Sequence, residues 1–168
     1  MCEISDVRIN EVASKLVLSA RERGITIGFA ESCTGGLISK SVTDVPGASA
    51  VFLGGIVSYA NSVKSGVLGV DKKTLDTVGA VSADTAMQMA LGCAEALGAD
   101  IAVSVTGIAG PDGGTAEKPV GLVYIAVCHN GRIVCERNIF SGDRKEVREQ
   151  SAYRALSIAL DAAERSIE

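Results

Sequence analysis

The residues Glu31-Ser32-Cys33-Thr34-Gly35-Gly36 put a carboxylate, two hydroxyls and a thiol directly ahead of two adjacent glycines. They follow an apolar run and precede a helical pattern. A serine at such a place either caps the helix or acts as a nucleophile. Two glycines inside a helix cost roughly 1 kcal/mol each relative to alanine, so the bare backbone is expected to serve another end. Glycine lets a ligand approach N–H groups where the helix dipole favours negative charge. Such a turn suits a phosphate or an oxyanion equally, and it is neither G-x-S-x-G nor G-x-G-x-x-G.

A serine nucleophile needs a base. The single histidine, His129, flanks Asn130-Gly131, a turn dipeptide, where a solvated role is expected; Ser-His-Asp and Cys-His arrangements are therefore not. No His, Cys and carboxylate cluster has metal-ligand spacing. By elimination the base is a lysine whose pKa burial lowers. Lys64 follows the second candidate strand and is the first choice; Lys118, in a long loop, is the second. Cys33 is a rival nucleophile, but alternation along an extended segment turns it away from Ser32, and a packing role suits it. Glu31 is placed to orient Lys64, to accept from loop amides, or to stand exposed at a strand end. Thr106 is a candidate donor to a ligand, and Tyr59 and Asn61 are candidates to stack on or hydrogen-bond a ring. Arg144, Lys145 and Arg148 sit where cations oppose a helix dipole, with Arg144 and Arg148 repelling at i, i+4. Asp143, Glu146 and Glu149 neutralise them, or a substrate phosphate or carboxylate does.

The elements that must hold these groups are legible. Residues 7–20 carry apolar side chains at helical spacing and stop at Gly24. Ile25 to Ala30 reads as a strand entering the Ser32 motif, with a helix after it up to Pro46-Gly47. Gly54 to Tyr59 reads as a second strand and residues 71–78 as a short helix. Ser82 caps a helix that Gly98 stops, and Ile101 to Val105 reads as a buried strand. The segment from Gly107 to Pro119 holds four glycines and two prolines; it cannot be regular structure and is expected to be a mobile lid. Val120 to Cys128 and Arg132 to Phe140 flank the hairpin turn. Asp143 with Glu146 resembles a capping box opening a last helix whose stripe is Ala152, Leu156, Ala159, Ala163 and Ile167. The pattern predicts one α/β domain over residues 1–168, a three-layer α/β/α sandwich with a mixed sheet ending in an antiparallel hairpin. If the first three strands are parallel, their loops meet at one sheet edge.

Composition agrees. The chain has 47% hydrophobic residues but only 4% aromatic ones and no tryptophan, so its core is aliphatic, as in buried α/β sheets. A net charge of -4 without a Lys/Arg cluster argues against a nucleic-acid partner. There is no secretory signal and no apolar run of membrane-spanning length, so a cytoplasmic protein without a membrane partner is expected. Cys2, Cys33, Cys93, Cys128 and Cys135 show no C-x-x-C pair. Cys128 should face Ile133 across the hairpin, diagonal to Cys135 and roughly 7–8 Å from it, so free thiols are expected.

The segments AESCTGGLIS, PGASAVFLGGIVSYAN followed by Lys64, GAVS, TGIAGPDGG, KPVG, and GDR with Arg148 beyond it occur in a specific order and spacing. From about residue 8 onward the chain resembles the CinA C-terminal-domain family, the nicotinamide mononucleotide (NMN) deamidases, also called nicotinamide-nucleotide amidohydrolases. The resemblance implies hydrolysis of the NMN carboxamide to nicotinic acid mononucleotide and ammonia, with no metal or cofactor. It implies a serine/lysine pair at Ser32 and Lys64, and a pocket holding Tyr59, Asn61, Thr106, Gly107, Arg144 and Arg148. It also implies a homodimer. Backbone amides of Thr34, Gly35 and Gly36 are then expected to hold the oxyanion, while Arg144 or Arg148, or the helix start itself, takes the ribose phosphate. Many members of the family carry a further N-terminal domain, which is not expected within these 168 residues. Ala60 departs from the serine that relatives often have between the Tyr and Asn. The alternative is a nucleotide-binding or competence- and damage-associated partner protein that does not turn over.

Overall fold

The computed structural model describes residues 6–165. The chain runs α1 (Asp6–Arg23), β1 (Ile27–Glu31), α2 (Leu37–Thr43), β2 (Phe52–Val57), α3 (Asn61–Gly66), α4 (Lys72–Thr77), α5 (Ala83–Leu97), β3 (Ile101–Gly107), β4 (Leu122–His129), β5 (Arg132–Ile139) and α6 (Arg144–Arg165). The strands form one sheet in the order β2-β1-β3-β4-β5. β1 pairs in parallel with β2 and β3, while β4 is antiparallel to both β3 and β5. This is the expected three-layer sandwich on a mixed sheet.

Alternation along the strands builds two cores. Ile27, Phe29, Ile101, Val103, Val105, Val123 and Ile125 face one way and pack with buried residues of α1, α2 and α6. Ala30, Ala102, Ala126 and Cys128 face the other way, against Ala86, Met89, Ala90 and Cys93 of α5. Small residues on that face let α5 lie close to the sheet.

Local signals act as expected at several ends. The Ser82 hydroxyl accepts from the Thr85 amide at the start of α5. Asn130 and Gly131 both adopt positive φ, 51° and 72°, as a two-residue hairpin turn requires. The Asp143 amide donates to the Glu146 carboxylate and the Glu146 amide to the Asp143 carboxylate, a reciprocal capping box. Cys128 pairs with Ile133, and the four described cysteines are free; Cys2 and Ile167 lie outside the described residues.

All five strands differ from the sequence reading by one or two residues at one end or both, and two of the shifts have a visible cause. β1 starts at Ile27 because the Ile25 amide is taken by the Ala20 carbonyl at the end of α1. β2 spans Phe52–Val57, not Gly54–Tyr59, because its partner ends at Glu31, opposite Val57. Tyr59 thus leaves the sheet and is 61% exposed.

The topology collects chain ends at one edge. α2 and α3 start just beyond the carboxyl ends of β1 and β2. β5 runs in the same direction as β3, so α6 starts at that edge as well. Ala80, just ahead of α5, accepts a hydrogen bond from Thr106 near the end of β3. Open α/β sheets place their ligand clefts at this edge.

Candidate active site

The turn after β1 can be accounted for amide by amide, as buried backbone must be. The Ser32 amide continues the sheet by donating to the Val105 carbonyl at 2.9 Å. Gly35 donates to the Ser32 carbonyl and Leu37 to that of Thr34. Gly36, Ile38 and Ser39 donate to the Glu31 carboxylate at 2.8 to 3.1 Å, joined by the hydroxyls of Thr34 and Ser39. Glu31 has no solvent exposure; it is neither an exposed acid nor a partner of Lys64. A carboxylate from the preceding strand neutralises the start of α2.

This corrects the expected use of the glycine pair. The amides of Gly35 and Gly36 are both taken within the protein and do not wait for an oxyanion. The glycines are there for conformation: φ is 60° at Gly35 and 99° at Gly36, a region that side chains with a Cβ rarely adopt. Nor does the start of α2 offer a phosphate site, because Glu31 fills it. In this turn the amides of Cys33 and Thr34 have no hydrogen-bond partner on another residue among the described residues.

Lys64, on α3, is 1% exposed. Its Nζ lies 3.0 Å from Ser32 Oγ and donates to the carbonyls of Ser58 at 2.7 Å and Tyr59 at 3.2 Å. No salt bridge to Lys64 forms among the described residues. Burial pushes its pKa below the ordinary lysine value of 10.5, while the nearby Cys33 sulfur acts weakly in the other direction. As the ammonium, Lys64 donates to all three oxygens, those of Ser58, Tyr59 and Ser32; in the neutral amine two N–H groups suffice for the carbonyls and the lone pair is left for the serine hydroxyl. Cys33 belongs to the buried core cluster at the cleft wall, and burial raises its thiol to about 12, which keeps it protonated and a poor nucleophile.

Ser32, Cys33 and Lys64 line a cleft of about 210 Å³ with Tyr59, Asn61, Thr106, Gly107 and Arg144. Ala80, Val81 and Ala109 complete it; sequence reasoning missed these, although a helix that precedes a parallel strand must begin at the cleft edge. Thr106 donates its hydroxyl to the Ala80 carbonyl, so in this geometry it offers a ligand an oxygen, not the expected hydrogen. Gly107 is required by close approach, since a Cβ there would stand 2.6 Å from the Leu122 carbonyl oxygen. Arg144 donates to the Gly110 carbonyl at 2.7 Å and to the Tyr59 hydroxyl at 3.2 Å, spanning the cleft mouth. Arg148 lies outside that lining and donates to the carbonyls of Cys33 and Thr34. The conflict of these cations with the α6 dipole is thus met mainly by backbone carbonyls, and only Lys145 pairs with a carboxylate, Glu149. An adjoining basin of about 480 Å³ shares Ala109 and Arg144 and adds Lys145 and Arg148.

The remaining candidates lie elsewhere. Lys118 donates to the Val78 carbonyl at 2.6 Å, tying the long loop to the segment before α5. His129 pairs with Ile101 at the start of β3, the sheet edge opposite Ser32. Among the described residues no group of three or more His, Cys, Asp and Glu side chains could hold a metal ion, and no helix is long and apolar enough to cross a membrane.

This arrangement can be set against known proteins. Residues 9–163 match the CinA C-terminal domain. The chain belongs to the CinA C-terminal domain family. The nicotinamide-nucleotide amidohydrolase PncC of Enterobacter agglomerans is 48% identical over 158 residues, covering 94% of this chain and 96% of that protein. A CinA-like protein of Geotalea uraniireducens is 53% identical over 136 residues. This chain spans about a third of the length of such CinA-like proteins, 32% of that one. The crystal structure of the competence/damage inducible protein CihA of Agrobacterium tumefaciens superposes with a TM-score of 0.89 at 44% identity, over 92% of this chain and 96% of that one.

Proposed function

We propose that this CinA-domain chain hydrolyses the carboxamide of NMN to nicotinic acid mononucleotide and ammonia, with Ser32 as nucleophile and Lys64 as general base. The observation that supports it is the buried Lys64 amine, 3.0 Å from Ser32 Oγ and without a counter-charge. The near-full-length likeness to an amidohydrolase of nicotinamide nucleotides supplies the substrate.

In this reading neutral Lys64 takes the Ser32 proton as Oγ attacks the carboxamide carbon. The tetrahedral adduct collapses as Lys64 returns the proton to the departing nitrogen, and ammonia leaves. Water then adds to the acyl-enzyme with Lys64 again as base, freeing Ser32 and the acid product. The pyridine ring enters the 210 Å³ cleft beside Tyr59 and Asn61. The cleft is below the roughly 300 Å³ of a typical ligand pocket, so the ribose phosphate extends into the adjoining basin toward Arg144 and Lys145. Dimerisation in a cytoplasmic setting belongs to the same proposal by family likeness, and sedimentation velocity checks it.

The test is ammonia release from NMN by the purified chain. Ser32→Ala and Lys64→Gln should each abolish turnover while NMN still raises the melting temperature. Undiminished ammonia release by either variant would reject the pair. A chain that binds NMN without releasing ammonia would be a sensor, not an enzyme.

A further inference from the structure

Among the described residues the N–H groups of Cys33 and Thr34, the two that follow Ser32, have no hydrogen-bond partner on another residue, and Cys33 lines the cleft with Ser32. The polar groups around them are held from two sides. Glu31 gathers three amides and two hydroxyls at the start of α2. Arg148, from α6, donates from Nε to the Cys33 carbonyl at 3.2 Å and from Nη2 to the Thr34 carbonyl at 2.8 Å. We infer that Arg148 is a positioning residue that fixes and polarises the Cys33–Thr34 peptide, so that the N–H groups of Cys33 and Thr34 form the oxyanion hole for acyl transfer to Ser32.

Three physical points carry this. In a trans peptide the C=O and N–H point in opposite directions, so holding the Cys33 carbonyl on Arg148 aims the Thr34 N–H away from Arg148. A cation on the carbonyl draws charge along the peptide and strengthens the N–H as a donor. The fork of a guanidinium holds two successive carbonyls in one fixed geometry, which a single ammonium cannot do. The N–H of the residue following the nucleophile is a recurrent oxyanion donor in serine hydrolases; here that residue is Cys33. The assignment replaces the amides of Gly35 and Gly36, which are used internally.

The inference rests on Ser32 being the nucleophile but not on NMN being the substrate, and the experiment separates the two. Arg148→Lys and Arg148→Met are purified alongside the parent chain, and each is assayed for kcat and KM on NMN. In parallel, the rate at which a fluorophosphonate probe phosphonylates Ser32 is followed by mass spectrometry. In that reaction the Ser32 Oγ–P bond forms, P–F breaks, fluoride leaves and Lys64 takes the proton. A positioning role predicts that Arg148→Met lowers kcat and slows labelling, each roughly tenfold to a hundredfold, short of the 10²–10³ for deleting a donor outright. KM should stay within about twofold, with Arg148→Lys intermediate. A raised KM with unchanged kcat and labelling would make Arg148 a contact for the substrate's phosphate and overturn the inference. If the parent chain is labelled at Ser32 but releases no ammonia from NMN, the substrate reading fails while the labelling rates still decide the role of Arg148. Should Arg148→Met not fold, Arg148→Lys decides alone: labelling at the parental rate contradicts the inference.

Discussion

The two edges of the sheet hold similar inventories of reactive groups and do different things with them. At the edge away from the cleft, Thr26, Asp100 and His129 bring together a hydroxyl, a carboxylate and an imidazole. The Asp100 carboxylate accepts from the Thr26 amide at 2.8 Å and from its hydroxyl at 2.7 Å, while His129 Nδ1 contacts the Asp100 carbonyl, not its carboxylate. All three groups tie β-strand ends together and are open to water. At the cleft edge, Ser32 and Lys64 are buried together, and the lysine forms no salt bridge among the described residues. The residue types of a hydrolytic triad do not make a site. What matters is which hydrogen bonds remain unused and which group burial has moved from its ordinary pKa, as it lowers that of Lys64.

The strongest way to break this contrast is to disable each edge in turn. Ser32→Ala or Lys64→Gln should lower kcat on NMN by roughly 10³-fold or more, while His129→Ala should leave it within about twofold. Equal losses from both edges would end the distinction. A second effect belongs to Glu31→Gln, which leaves buried donors at the start of α2 without their carboxylate. About 2–4 kcal/mol of stability should be lost, read as a fall of roughly 5–15 °C in the melting temperature. A change under a degree would show that Glu31 does not hold the turn.

The smallest effect is at the far edge. Asp100→Ala should cost about 1 kcal/mol and no activity, measured by urea denaturation. Its carboxyl is held below the ordinary value of 3.8, first by the Thr26 amide, then by the Thr26 hydroxyl, with His129 adding a little. The folded state thus favours the ionised form, so the stabilisation is present above pH 3.8 and fades as pH falls through the folded value. The gap between parent and variant should therefore narrow toward pH 3; a gap that widens would contradict the assignment.

Much of the frame could be read from local chemistry. Ser82 before an apolar stripe, Asn130-Gly131 between alternating runs, and Asp143 with Glu146 each act through neighbours a few residues away, so sequence alone displays them. Lys64 was reachable because parallel strands bring their trailing loops to one edge. The use of Glu31 was legible only as one of three alternatives, accepting from loop amides, because its partners lie three to eight residues on, across a turn whose left-handed glycines set the approach. Gly35 and Gly36 were legible as special but not as conformational, since an exposed amide and a positive φ leave the same mark in a sequence. The carbonyls met by Arg148 are 114 and 115 residues away in the chain, and nothing local to α6 announces them.

General-base catalysis at this site requires Lys64 to be uncharged next to Ser32 at the pH of catalysis. The most direct measurement is the titration of its side-chain nitrogen by heteronuclear NMR in lysine-labelled protein, assigned by comparison with Lys64→Gln. Burial predicts a midpoint below 10.5, with the ascending limb of the kcat–pH profile following it. A Lys64 resonance that stays protonated up to or beyond 10.5 while NMN is being turned over would contradict the central claim.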